Sequence, residues 1–454
     1  MSGSTVGLRY TGHALVDAGV AAITVHAGQD DPRQVTADDL EAFVAECLDL
    51  YPQKAVSSYL DVIFTGNYLH KSLKTLPDQR RRLAEADRLG IFRLPPGEHL
   101  PPCVFCGRPG VHLGSRLMVP LASGEDTVNF YPQGRAGLSL CGLCALALQA
   151  LPWGAPCVEG RQMLVLDTQD RELLLSLVRR WQSALRRRAA LGAAETAEKK
   201  ATFPALRPWL IEELAQLEAD RRGSQDMSLV AYRINNFGQS ARVKRYELPG
   251  SVVRLVRRSL TARFRPVWDL LSRRGQRGNS QNRFYEVLWD LPDGVGRLVR
   301  QVLLPAVEAV PDALPPSWWE WCAMMLEEVV WVEPRRVELI RTLGDALAEE
   351  VRSQNDRRLL DQVRRGDRYG AVRALLIRVS GRRLGRGEGP LLGLDDFLTV
   401  FEEGDAATRL DWRLAWDLVS LRLLERLYET GWVREHRDAL TAATEEETSD
   451  QEEK

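Results

Sequence analysis

Cys103-Val104-Phe105-Cys106-Gly107 and, after a gap of 34 residues, Cys141-Gly142-Leu143-Cys144 are the stretches that decide how this chain is read. Two thiolates at C-x-x-C spacing reach one metal from a single tight turn. The glycine beside each pair lets the backbone fold so that N–H groups face the sulfurs. Two such turns complete a tetrahedral all-sulfur shell, the donor set that suits Zn2+. The gap exceeds the roughly 15–20 residues of a common zinc ribbon, so Val111 to Leu140 must hold a small insertion. The alternative is a pair of unrelated reduced turns. A closed four-cysteine shell has no open coordination position, so it staples structure and does not catalyse.

The other three cysteines, Cys47, Cys157 and Cys322, stand alone in apolar surroundings, and an odd count without regular spacing argues against a disulfide framework. The opening residues lack the charged and apolar regions of a secretory leader, and no apolar run approaches the roughly 18 residues of a membrane span. The expectation is a cytoplasmic protein with no membrane partner. At 454 residues the chain has the length for two or three domains.

A formal net charge of −1 hides strong segregation. Residues 1–70 carry 3 Lys/Arg against 9 Asp/Glu, whereas residues 171–300 carry 26 against 13, a local charge of +13. The final stretch, 441–454, holds 6 acids and one lysine and reads as a disordered acidic tail. A basic segment of this size is the electrostatic footprint of a polyanion, nucleic acid above all. The runs Arg179-Arg180 and Arg186-Arg187-Arg188 read equally well as solvated helix faces.

The pattern along the chain predicts an α+β protein that is mostly α. Ala14 to Ile23 reads as a small-residue helix ending near Gly28, and Thr36 with Asp39 forms a capping box for a helix with a Leu40, Phe43, Val44, Leu48 stripe. Val56 to Phe64 fits strand or helix. Thr65-Gly66-Asn67 reads as a turn. Beyond the cysteines, Arg161 to Asp167 has strand character, Arg171 to Ala190 is a long amphipathic helix, and Ser228 to Leu248 has the residues of a hairpin. From Ser317 the sequence is almost wholly helical, with breaks at Gly366, at Gly381 to Pro390 and at Gly404, the pattern of a four- or five-helix bundle. This gives a mixed domain over 1–316 with a four-cysteine insertion at about 100–150, a bundle over 317–440 and the tail. Met324-Met325 marks either an internal start that would release the bundle separately or filling of a core gap.

Catalytic signals are absent: there is no phosphate-binding loop, no H-E-x-x-H, and the six histidines show no metal spacing. Asp17, a lone acid in an apolar helix, is the least unlikely catalytic residue, against the plainer reading of a capped or salt-bridged structural group. The chain reads as a non-enzyme.

Tyr10-Thr11-Gly12-His13-Ala14-Leu15-Val16-Asp17-Ala18-Gly19 resembles the opening motif of the large subunit of type I-B CRISPR Cascade complexes. That family follows it with a phenylalanine-glycine-asparagine turn, here Phe64-Thr65-Gly66-Asn67 with Thr65 as an extra residue, and then with a C-x-x-C…C-x-x-C insertion. Tyr232-Arg233-Ile234-Asn235-Asn236-Phe237-Gly238-Gln239 is also similar to the family's mid-chain segment. The resemblance covers roughly the first 250 residues, and the helical C-terminal third matches by architecture only. It implies a non-catalytic subunit that touches guide RNA and the backbone and small subunits, reads a short protospacer-adjacent motif in target double-stranded DNA, and helps open the duplex. It also implies a platform for an effector helicase-nuclease or for transposition proteins. Base pairing would read the target while protein reads only the short duplex flag.

The resemblance does not pin nucleic-acid contacts to positions, so these follow from chemistry. Arg242, Lys244 and Arg245 lie on the second hairpin strand, where alternation puts Arg242, Lys244 and Tyr246 on one face against Val243 and Arg245. Arg273, Arg274, Arg277, Asn279, Gln281, Asn282 and Arg283 form a glycine-spaced run of cations and amides, groups that fork onto guanine or adenine or grip phosphate. Arg382, Arg383 and Arg386 form a second such run, equally readable as a solvated connection. The competing function is a zinc-stapled RNA- or protein-binding scaffold or regulator that does not read duplex DNA.

Overall fold

The computed structural model describes residues 4–64, 88–116, 118–122, 137–158, 162–191, 210–215, 228–236, 241–273, 283–308, 314–402 and 411–436. Helices dominate, with a small sheet component, and the chain divides into two compact units, Met1–Val253 and Arg254–Lys454. In chain order the first unit holds α1 (Ala14–His26), α2 (Ala37–Leu50), α3 (Lys54–Ile63), β1 (His112–Gly114), β2 (Leu138–Leu140), α4 (Gly142–Gln149) and α5 (Leu151–Gly154). Then come β3 (Cys157–Val158), β4 (Gln162–Thr168), α6 (Arg171–Leu191), β5 (Leu229–Asn235) and β6 (Arg242–Leu248).

Helix α1 is the centre of this unit. Every residue from Leu15 to Thr24 is buried, so the helix is enclosed on all sides rather than amphipathic. Its small residues are a packing requirement. A Cβ on Gly19 would come within 1.8 Å of the Ala147 carbonyl oxygen in α4, and one on Gly154 of α5 within 2.1 Å of the Ala18 carbonyl oxygen. Polar side chains then tie the layers to backbone oxygens: Tyr51 Oη donates to Gln149 O at 2.5 Å, and Gln182 Nε2 of α6 donates to Ala22 O at 2.8 Å. The capping box forms as the sequence predicts, with the Thr36 amide 2.8 Å from Asp39 Oδ2 and the Asp39 amide 3.2 Å from Thr36 Oγ1. The ambiguous stretch before Phe64 is helical. The turn at Thr65-Gly66-Asn67 lies outside the described residues.

The larger sheet has the order β3-β4-β5-β6, antiparallel throughout. The expected hairpin is β5 paired with β6. Leu164 stands opposite Arg233, which stands opposite Lys244, while Leu166, Ala231 and Tyr246 form the next row of the same face. Strand β4 is buried on both faces, whereas β6, last in the order, is exposed from Arg242 to Arg245.

The second unit is helical. Helix α7 (Gly250–Ser259) carries the chain across the division, followed by α8 (Arg265–Arg273), α9 (Arg283–Leu288), α10 (Val295–Leu298), a π turn over Val299–Leu303 and α11 (Leu304–Glu308). After these come α12 (Trp318–Glu328), α13 (Pro334–Gln354), α14 (Arg357–Arg364), α15 (Tyr369–Gly385), α16 (Leu394–Phe401), α17 (Trp412–Glu429) and α18 (Trp432–Glu435). Helices α13 and α17 meet where Gly344 lets the Arg422 stem and the Val419 carbonyl come close.

The division falls at 253/254 and not at the expected 316/317. Residues before 309 are built into the helical unit by contacts that α12 cannot do without. Trp321 Nε1 donates to Ser259 Oγ at 2.7 Å, its ring lies 6.2 Å from that of Phe284, and Ser317 Oγ donates to Arg263 O at 2.8 Å. Met324 and Met325 are both buried in α12, and a start there would remove the buried Trp318 and Trp321. The break expected from Gly381 to Pro390 also differs: α15 runs through Gly381 to Gly385 before the chain turns. Gly366 does separate α14 from α15, and Gly404 lies outside the described residues.

Candidate functional site: a four-cysteine centre and a basic sheet edge

The four sulfurs of Cys103, Cys106, Cys141 and Cys144 lie within 4.8 Å of one another, and Cys106 Sγ is 3.4 Å from Cys141 Sγ. A tetrahedral ion with sulfur at about 2.3 Å requires sulfur–sulfur separations of about 3.8 Å, so the cluster is of the size that holds one metal ion. The first pair sits on a tight turn. The Cys103 amide donates to Arg108 O at 2.7 Å, the Gly107 amide donates to Cys103 O at 2.9 Å, and Gly107 takes φ +75°, which a side chain would resist. The second pair is placed by a helix start: Cys141 caps α4, and its sulfur accepts from the Cys144 amide at 3.4 Å. Gly142 is needed because a Cβ there would stand 2.5 Å from Phe92 Cα. The β1–β2 pair spans the gap between the two, with the Val104 amide donating to Ser139 O at 3.0 Å.

Crowding makes these thiols unlike free cysteine. Hydrogen bonds from Cys141 and Cys144 hold the Cys103 thiol far below its ordinary value. The same contact with Cys103 pushes Cys141 up to about 12 and Cys144 higher still. A dication among the four sulfurs would favour their thiolate forms and release the remaining protons.

The N-terminal arm is stitched to this turn, a link that sequence reasoning missed. Arg9 Nη2 donates to Cys106 O at 2.8 Å, Arg108 donates to Gly7 O, and the His13 ring lies 4.6 Å from that of Phe105. Asp17, named as the least unlikely catalytic acid, is the hub of the arm. It accepts from Thr11 N at 2.6 Å, Thr11 Oγ1 at 3.0 Å and Gly12 N at 3.1 Å, and faces Arg171 Nη2 at 3.5 Å. The Arg171 guanidinium lies over the Tyr10 ring at 4.2 Å, and burial pushes the Tyr10 hydroxyl up to about 12. Its oxygens are committed in this way to the arm and to Arg171.

Within the basic segment, the cations of α6 and those of β6 are used differently. Those of α6 knit the unit together: Arg179 pairs with Asp30, Arg180 with Glu213, and Arg186 with Glu46 at 2.8 Å while lying over the Trp153 ring at 5.2 Å. Those of β6 face outward. Arg242 is exposed, Lys244 Nζ lies 5.2 Å from the Tyr246 ring centre, and Arg245 pairs with Glu247 at 2.7 Å. Pairing register places Arg242, Lys244 and Tyr246 on one face with Asn235 and Arg233, as the alternation predicts, and Arg245 on the other. Arg273 ends α8, and Arg283 opens α9 exposed. Arg274, Arg277, Asn279, Gln281 and Asn282 lie outside the described residues.

Arg382, Arg383 and Arg386 do not form an open cationic loop. They belong to the end of α15, and each already holds a carboxylate. Arg382 pairs with Asp356 at 3.0 Å, Arg383 with Glu350 at 3.1 Å, and Arg386 with Glu350 at 2.5 Å and Glu388 at 2.7 Å. Glu350 is 3% exposed, so two of these arginines neutralise a buried acid. Their charge is spent inside the fold.

No family model, curated protein or solved structure matches this chain. Among the described residues, no helix is long and apolar enough to cross a membrane.

Proposed function

We propose that this chain is the non-catalytic large subunit of an RNA-guided surveillance complex of the type I-B Cascade kind, stapled by one structural Zn2+. The observation that carries the reading is that three segments of the resemblance belong to one packed body. The opening motif and the arginine just before it hold the cysteine turn, through His13 and Arg9. Asn236, from the mid-chain segment, donates to the carbonyl of Ile63, the residue before Phe64, at 2.6 Å. Four thiols at this spacing, with no oxygen or imidazole donor among them, favour zinc over harder ions. The exposed edge of β5–β6 combines cations, an amide and a tyrosine, chemistry that suits phosphate and exposed bases.

On this reading the subunit works without forming or breaking a bond. Cations of the sheet edge grip the polyanion, and base pairing by guide RNA reads the target. The resemblance also implies a platform for an effector helicase-nuclease or transposition proteins. The test is co-expression with guide RNA and backbone subunits, followed by binding of target duplex at several salt concentrations. The expected result is a stable ribonucleoprotein whose duplex affinity falls about tenfold in the Arg242→Ala/Lys244→Ala variant, with a shallower salt dependence. Failure to assemble with guide RNA and backbone subunits would refute the proposal. Assembly without duplex binding would favour the zinc-stapled scaffold.

A further inference from the structure

The outward face of α15 has the pattern of a helix seam with no described residue packed on it. Gly370, Ala374, Ile377, Gly381 and Leu384 recur at spacings of four, three, four and three, which aligns them in one stripe along the helix. All five are exposed, Ile377 at 63% and Leu384 at 57%. The opposite face, Val372, Leu375, Leu376 and Val379, is the one buried in the unit. A Cβ added at Gly370 or Gly381 would meet no atom within 4 Å, so no described residue covers the stripe. Two large aliphatic side chains held in water, with glycines between them that admit a close backbone, make a row of knobs and holes rather than a solvated surface.

Charge selects the occupant. Arg373 flanks the stripe on one side and Arg378 on the other, and α15 contains no acidic residue. A second copy in this seam would set cations against cations, which disfavours self-pairing. Nucleic acid would use the arginines and leave Ile377 and Leu384 uncovered. The chain's own acidic end, 441–454, has no large aliphatic residue with which to fill the holes. We propose that the outward face of α15 docks an amphipathic helix of a partner protein, with aliphatic residues at the seam and Asp or Glu at its flanks. This inference stands apart from the surveillance-complex reading, since it uses neither the cysteine centre nor the sheet edge.

The test uses the full chain and two designed three-heptad peptides, both with leucine at the seam positions, one flanked by glutamate and one by lysine. Fluorescence anisotropy should show binding of the glutamate peptide alone. Binding should weaken with salt and fall at least about tenfold in Ile377→Asp and in Leu384→Asp. Both positions are exposed, so the unfolding midpoint of each variant should match that of the parent, which separates lost docking from lost folding. Binding of neither peptide, equal binding of both, or binding indifferent to both variants overturns the proposal. A concentration-dependent dimer abolished by Ile377→Asp would assign the face to a second copy instead. Duplex DNA binding abolished by the same variant would assign it to nucleic acid.

Discussion

Glycine-to-alanine substitution in a helix should change sign between two places in this protein. Intrinsic propensity favours alanine by about 0.5–1 kcal/mol wherever the backbone is helical. At Gly381 that is the whole effect, because nothing lies within 4 Å of a new Cβ. At Gly19 the new atom would stand 1.8 Å from the Ala147 oxygen, 2.5 Å from its carbonyl carbon and 2.9 Å from its Cα, all backbone atoms of α4. No rotamer relieves that contact. The helices must part by about 1.5 Å, and a gap of that size forfeits half or more of the dispersion attraction along the seam. The net cost is about 3 kcal/mol, at the upper end of core overpacking. Differential scanning calorimetry of the full chain should show the transition of the first unit lowered by roughly 6–12 °C in Gly19→Ala. In Gly381→Ala, the transition of the second unit should rise by about 1–4 °C. If both substitutions shift stability in the same direction, the close approach of α1 and α4 does not govern this core.

Cys106→Ser should lose bound metal and solubility together, since a four-thiolate site in a small domain contributes on the order of 10 kcal/mol; metal analysis of parent and variant checks this. Asp17→Ala strands two amides and leaves Arg171 without its carboxylate, and should cost about 3–5 kcal/mol in urea unfolding. A fragment from Pro249 to Lys454 should fold cooperatively, whereas one beginning at Ser317 should not, because Trp321 loses Ser259 and Phe284; circular dichroism melts distinguish them. Burial raises Glu425 from 4.5 to about 7 despite Arg422 at 2.9 Å. Its proton therefore favours the folded state, a contribution complete below pH 4.5 and lost as pH rises through 7. Urea midpoints at acidic and alkaline pH should differ less in Glu425→Gln than in the parent.

Local chemistry was readable from the sequence. The cysteine spacing, the Thr36–Asp39 box, the long helix from Arg171 and the alternation of Arg242, Lys244 and Tyr246 are each set by neighbours within a few residues. Features that depend on distant partners were not readable. Arg383 and Arg386 look free until Glu350, 33 and 36 residues earlier, is found buried beneath them. The division at 253/254 rests on the meeting of Trp268, Phe284 and Trp321, aromatic residues whose spacing carries no signal of contact. Asp17 looked chemical because a lone acid in an apolar helix is unusual, and only the arm folding back at Thr11 and Gly12 shows what it serves.

The enclosure of α1 also has a consequence in time. The ribosome makes this apolar helix well before α6, which covers it. About 165 residues separate the end of α1 from the end of α6, which at 5–20 residues per second leaves the helix uncovered for roughly 8–33 seconds. Throughout that interval a newly made chain presents its stickiest segment to every other chain nearby. Production in a host therefore depends on chaperone capacity and translation speed, and slowing synthesis upstream of α6 would lengthen the exposure.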